Sequence, residues 1–310
     1  MSSPDHFEPL RQAAQACGRM RTAVAYPLSA DSLRAALQAR ELGYVEPVLV
    51  GPQARIRATC EQAGLSADGV EIVDTPDDEL QAARVAAELA RDGKAQALMK
   101  GSLHTDRFMA AIVAREAGLR TQRRISHAFV MAAAAYPKVF LVTDAAVNIA
   151  PGLPEKADIV QNAIDLARAL GVERPKVAAL AATESVNPAM PATLEAAALS
   201  KMVERGQISG GIVDGPLAFD NAVSAQAART KGIVSPVAGD ADILLVPNIE
   251  AGNMLYKSLT YLAGAAMAGL VLGTRVPVLL TSRADSVDAR INSCAVAVLY
   301  GRWLAGSSAG

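Results

Sequence analysis

The stretch AQALMKGSLHT, residues 95–105, opens with a short apolar run and closes on a lysine, a glycine and small polar residues. A strand with one solvated face alternates apolar and polar side chains. A run without alternation reads as a strand covered on both faces, as in a parallel sheet. On its N-terminal side, Asp77 to Asp92 carries Leu80, Ala83 and Ala87 on one face of a helix. On its C-terminal side, Arg107 to Ala117 is helical and Gly118 ends it. Helix, apolar strand, polar turn, helix is the unit of an α/β fold.

The same unit recurs along the chain. Asp31 to Leu42 predicts a helix, closed by Gly43 and followed by the strand PVLVGP at 47–52. KVFLVTD (138–144) predicts a strand, and a periodic helix runs from Pro154 to Leu170. Further strands are expected at Lys176–Leu180, Gly211–Asp214, 241–248 (ADILLVPN) and 276–282 (VPVLLTS). Helices are expected at Pro191–Arg205, near Asn221–Lys231, over most of Ala251–Leu272 and from Ser286 to Leu299. The class is α/β, two three-layer α/β/α domains with mostly parallel sheets. Length alone suggests two domains for 310 residues. The expected division is 1–145 plus 270–310 for the first domain and 146–269 for the second, with a cleft between them.

Composition narrows the function. Apolar residues are 51% and aromatics only 4%, which favours small-residue helical packing over a β-sandwich. Thirty basic against 31 acidic residues give a net charge of −1, with no basic stripe for nucleic acid. Cys17, Cys60 and Cys294 form no CxxC pair, and His6, His104 and His127 are scattered, so neither a disulfide framework nor a metal cluster is expected. The start MSSPDHFEPLRQ lacks the pattern of a signal peptide. The longest uncharged run, 258–274, is rich in Gly and Ala and reads as a buried helix rather than a membrane span. A reducing cytoplasm fits.

Ligands of open α/β sheets bind at the carboxyl ends of the strands. Polar residues and glycines gather there: Lys100 to Thr105, Thr143-Asp144, Asp214-Gly215-Pro216, Pro247-Asn248 with Glu250, Gly252 and Asn253, and Thr281 to Ser286. Lys100-Gly101-Ser102 offers a cation, a close-approach glycine and a hydroxyl, suited to an anion. The bland reading is a strand-to-helix turn with a surface lysine. No Walker or GxGxxG loop is present. In Thr281-Ser282-Arg283 the arginine suits a phosphate and the serine can donate to an oxygen becoming negative during acyl transfer. Asp285 and Asp288 follow at a helix start, where capping by Ser286 or Asp285 and a salt bridge to Arg283 would explain the same residues. His104 and His127 fit acid–base groups or hydrogen-bonded structural histidines. Arg120, Arg123 and Arg124, in RTQRR, fit a nucleotide-tailed cofactor or a solvated loop.

LMKGSLHT, LRTQRRISHAFVM, IVDGPLAFDNAVS, SPVAGDADILLVPNIEAGNMLYKSLTYLAGA and VPVLLTSRADS, in this order, resemble the phosphate acetyltransferase/phosphate butyryltransferase family. The likeness runs from about Ala23 to Leu299, and LRTQRRISHAF and TSRADS look more like the butyryl branch. It implies two α/β domains of the isocitrate/isopropylmalate dehydrogenase type, a homodimer, and reversible exchange of an acyl group between coenzyme A (CoA) and inorganic phosphate. It implies direct attack of the CoA thiol on acyl phosphate in a ternary complex, with no metal, prosthetic group or acyl-enzyme. Ser282 and Arg283 match the family's catalytic pair, oxyanion donor and phosphate holder. The acetyl branch's catalytic aspartate column falls on Ala289, so Asp288, or second to it Asp285, would take that role. Asn253, Tyr256 and Lys257 match the family's GN-x-x-YK motif, and with Lys100, Gly101, Ser102, His104 and Thr105 they are the expected substrate and phosphate contacts; Arg107, Arg123 and Arg124 are the expected CoA contacts. Arg107 comes sooner than the acetyl branch's CoA-contacting arginine.

Three other functions compete. An acyl-carrier-protein:phosphate acyltransferase would need a basic docking face. A dehydrogenase of the same fold would need metal-binding aspartates. A non-catalytic sensor of CoA or acyl phosphate would bind without turnover.

Overall fold

The computed structural model describes residues 5–282 and 284–307, so Arg283 lies outside the described residues. The elements in chain order are α1 (Glu8–Ala16), β1 (Met20–Ala25), α2 (Ala30–Glu41), β2 (Val45–Gly51), α3 (Gln53–Gln62), β3 (Glu71–Asp74), α4 (Glu79–Arg91), β4 (Ala97–Lys100) and α5 (Thr105–Val113). Next come β5 (Ser126–Ala132), β6 (Phe140–Thr143), α6 (Leu153–Ala169), β7 (Lys176–Leu180), α7 (Pro191–Glu204), β8 (Ile212–Leu217), α8 (Phe219–Val223), α9 (Ala225–Thr230), β9 (Ile243–Leu245) and α10 (Ile249–Tyr261). The series closes with β10 (Ala266–Leu272), β11 (Val278–Leu279) and α11 (Val287–Ser307).

Two compact units result. A split unit comprises Glu8–Gln122 and the residues from Ala268 onward. An inserted unit comprises Arg123–Met267, with residues 5–7. The first division falls at Gln122/Arg123 rather than at 145, and the second at Met267/Ala268 where 269/270 was expected. The physical reason is pairing: β5 runs antiparallel to β6, and β6 runs parallel to β9, so both strands belong with the inserted unit.

In the split unit the strand order is β3-β2-β1-β4-β11-β10. All neighbours are parallel except β10 and β11. Its inner strands β1 and β4 are buried nearly end to end, with Ala23, Val24, Ala25, Ala97 and Leu98 fully enclosed, whereas the edge strand β3 has no buried residue. α4 covers them with Ala82, Ala83, Ala86, Ala87 and Ala90, a small-residue face that lets the helix lie close to the sheet. Ser29 caps α2 and Asp78 caps α4, each accepting a backbone N–H of its helix. In the inserted unit the order is β5-β6-β9-β7-β8, with α6 contributing a buried face that includes Ile159, Val160, Ala163 and Ile164.

The helix expected over Ala251–Leu272 is two elements. α10 stops at Tyr261, Gly264 takes φ +63, and the run AMAGLVL becomes strand β10. A short apolar run buried on both faces carries no period to tell strand from helix. The helix expected near Asn221–Lys231 breaks at Ser224, whose hydroxyl caps α9 by accepting the Ala227 N–H. β1, β3, β5, α1 and α3 lie outside the expected set.

Candidate active site

β1, β4 and β11 lie side by side and run parallel, so their carboxyl ends share one edge of the split unit's sheet. That edge carries Tyr26, Lys100-Gly101-Ser102 and Thr281-Ser282, at the ends of the strands or within three residues beyond them.

The Lys100–Ser102 turn is braced against β1. The Gly101 N–H donates to the Ala25 carbonyl at 2.9 Å and the Ser102 N–H to the Tyr26 carbonyl at 3.0 Å. The Ser102 hydroxyl donates to the same Tyr26 carbonyl at 2.8 Å and accepts the Leu28 N–H at 2.9 Å. Gly101 is a close-approach glycine, but the partner is its own protein: a Cβ there would sit 2.3 Å from the Ala25 oxygen. Tyr26 is in the left-handed region at φ 52, unusual for a bulky residue, and this aims its carbonyl at Ser102. Its phenol donates to Asp77 at 2.6 Å, and Arg55 reaches the same carboxylate at 2.6 Å. Burial, then the Asp77 bond, raises the Tyr26 phenol pKa. The bonds from Tyr26 and Arg55 lower that of Asp77.

Lys100 is 1% exposed, with Nζ 3.5 Å from the Gly101 carbonyl; it lies beneath the turn rather than on the surface. His104 is exposed, and its Nδ1 lies 2.9 Å from Glu79, which also accepts the His104 backbone N–H at 2.9 Å. Thr105 opens α5. Arg107, in the following turn, is exposed and has no hydrogen-bond or ion-pair partner among the described residues.

Ser282 follows β11 and is half-buried. Its N–H donates to the Asp285 carboxylate at 2.5 Å, and its carbonyl accepts from Arg290 Nη2 at 3.0 Å. Its hydroxyl accepts the Ala284 N–H at 3.4 Å, and its own proton has no acceptor among the described residues. Asp288 is exposed in the first turn of α11, without a partner among the described residues. Sequence reasoning missed Arg290, a charge at the start of an apolar helical run that pattern reading assigns to a solvated face. It is 3% exposed, and burial pulls its pKa below the usual arginine value against the pull of Asp285 and Asp31.

In the inserted unit, Asn248 caps α10 by accepting the Ala251 N–H at 3.0 Å. A Cβ on Gly252 would meet Val246, Ala145 and Asp144 within 2.9 Å, so glycine permits α10 to approach the ends of β6 and β9. Asn253 is half-buried and Lys257 exposed, one helical turn apart on one face. Tyr256 turns inward and stacks on Phe129 at 3.9 Å. His127 is fully buried with its ring edge on Phe129, 4.4 Å between centroids, a packing role rather than acid–base access. Asp144 accepts backbone N–H bonds from His127, Ala146, Val147 and Asn148, and is consumed in holding its loop. Arg123 pairs with Asp165, and Arg124 donates to Asn148 at 2.8 Å, so both are tied to local structure.

Residues 79–298 match the family model described as phosphate acetyl/butaryl transferase. A phosphate acetyltransferase of Rhizobium meliloti is 54% identical over 96% of this chain and 94% of its own length. A phosphate butyryltransferase of Clostridium acetobutylicum is 44% identical over 90% and 92%. Among solved structures, a branched-chain phosphotransacylase from Enterococcus faecalis V583 superposes with a TM-score of 0.80 at 32% identity, covering 91% of this chain and 99% of that one.

Proposed function

The chain belongs to the phosphate acetyl/butyryl transferase family and is an acyltransferase, and from that premise we propose how its residues move a short acyl group, acetyl or butyryl, between CoA and inorganic phosphate. The CoA thiolate attacks the acyl carbon of acyl phosphate in a ternary complex. The S–C bond forms, the C–O bond to phosphate breaks, and phosphate leaves with the bonding pair. The reverse reaction runs through the same tetrahedral state. CoA and phosphate are substrates, and no resident cofactor enters the scheme.

The observation that carries this reading is the contrast between two hydroxyls at one sheet edge. Ser102 has given its proton to the Tyr26 carbonyl, whereas the Ser282 proton has no acceptor among the described residues. Ser282 is therefore the oxyanion donor. Losing such a donor typically costs about 10²–10³ in kcat. Arg283, outside the described residues, is assigned to the phosphoryl group by the family motif. A thiol of pKa about 8.5 is mostly protonated at neutral pH, so a base is needed. Asp288 fits that role better than Asp285, whose carboxylate holds the Ser282 N–H. Of the three arginines expected to meet CoA, Arg107 is the one without a local partner among the described residues, which supports its contact with the nucleotide phosphates. Asn253 and Lys257 share an accessible face of α10 and are assigned to substrate contact; Lys100 supplies positive charge beneath its turn. Exposed Met254, Tyr261 and Leu262, at 64%, 64% and 87%, support a homodimer.

The test is direct. Purified protein is mixed with CoA and acyl phosphates from acetyl to octanoyl, and thioester formation is followed by ultraviolet absorbance. Turnover with short chains is expected. Absence of turnover throughout the series, where CoA binding is demonstrable, would overturn the reading.

A further inference from the structure

We propose a second ligand site in the split unit, at the sheet edge opposite the candidate active site, for an amphipathic anion: one carboxylate or phosphate group on an apolar body. A cavity of about 520 Å³ lies where β1, β4 and β11 begin. It is walled by the loop before β1, the loop before β4, the β10–β11 turn and the last turns of α11. β4 has 4 residues and β1 has 6, so at about 3.3 Å per residue this edge lies roughly 13–20 Å from the turns after those strands. The cavity is therefore separate from the split unit's own residues assigned to acyl transfer.

Its chemistry is two-sided. Met20, Pro277, Val298 and Leu304 give it apolar walls, and none of its lining residues is an aspartate or glutamate. Gly301 lines it as well, and a Cβ there would stand 3.0 Å from the Met20 sulfur and 3.3 Å from Pro277. Three arginines line the opening: Arg19, Arg275 and Arg302. Arg19 is matched by Glu46 at 3.1 Å, and Arg302 is spent on the Cys17 carbonyl at the end of α1. Arg275 is exposed, and its guanidinium has no hydrogen-bond or ion-pair partner among the described residues. A guanidinium presents a planar fork that pairs two-pronged with carboxylate or phosphate oxygens. Ligand pockets combine this volume with an apolar lining and a few convergent polar groups. Arg275 receives the head group and the walls of Met20 and Val298 receive the tail.

The test uses octanoate on the full chain, read by the ¹³C-methyl NMR signal of Met20, assigned from the Met20→Leu variant. Octanoate should move that signal saturably, with Kd below about 1 mM. Arg275→Glu should weaken this binding at least about tenfold while turnover of acyl phosphate and CoA without octanoate stays at the parent rate. Octanol and inorganic phosphate, each carrying half of the chemistry, should bind more weakly than octanoate. A Met20 signal that octanoate leaves unmoved, equal binding by octanol, or unchanged affinity in Arg275→Glu would each overturn the proposal. Turnover is scored separately, so loss of the site and loss of the transferase reading are distinguishable.

Discussion

Arg290 Nη2 donates to the carbonyl of Ser282 at 3.0 Å from a side chain only 3% exposed, and its Nε and Nη1 have no partner among the described residues. A buried guanidinium leaving two nitrogens unsatisfied is costly, and what it holds is the backbone of the candidate oxyanion donor. Arg290→Met should lower kcat while leaving KM for CoA close to the parent value. A charge-assisted hydrogen bond contributes about 1.5–3 kcal/mol, so a loss of roughly ten- to hundredfold in kcat is expected. Steady-state kinetics checks this, and an unchanged kcat would remove Arg290 from the positioning of Ser282.

Gly101→Ala should damage the Lys100–Ser102 turn. The added Cβ would meet two backbone oxygens, of Ala25 at 2.3 Å and Tyr26 at 2.6 Å, neither of which can rotate away. Overpacking against backbone predicts a loss of at least about 2 kcal/mol, read from the urea midpoint of unfolding.

Thiol reactivity should sort by burial. Burial pushes the Cys294 thiol up to about 12 and raises Cys60, while Cys17 is half-exposed. The thiolate is the nucleophile, so Cys294 is close to inert at pH 8. An aromatic disulfide reagent should label Cys17 in the native protein and the other two after denaturation. Cys17→Ser should abolish the native reaction.

The amino edge of the inserted unit predicts an acid limb of stability. Burial raises the Asp240 carboxyl, but bonds and charges from Lys138 at 2.7 Å and Lys176 at 2.6 Å outweigh it and hold the folded pKa below the usual value. The sign follows from linkage. A depressed folded pKa gives stability that is present above the unfolded value of about 4 and lost as pH falls through the folded pKa. Thermal unfolding scanned from pH 7 to 2 should show a steeper acid decline for the parent than for Asp240→Asn.

Much of this fold is legible in the sequence, for identifiable reasons. α2, β2, α4, β4 and β7 are marked by caps, glycine stops and apolar runs of the right length, and appear within about two residues of the expected ends. AMAGLVL was illegible because both of its faces are buried, which erases the period. At the candidate site, TSRADS points to acyl transfer through the family resemblance, but Ser102 and Ser282 look alike as letters. They separate only when β1 brings the Tyr26 carbonyl to one of them. Arg290 is illegible for the same reason: its burial arises when α11 packs in the split unit.

The order of the split unit's strands bears on how the chain emerges from the ribosome. β11, an inner strand between β4 and β10, is translated only after Arg123–Met267. Until then β4 presents an unpaired edge, the kind of surface that recruits other chains. The whole inserted unit, residues 5–7 with Arg123–Met267, is translated before that edge can be closed, so nascent chains halted before β11 are the species most exposed to aggregation during synthesis.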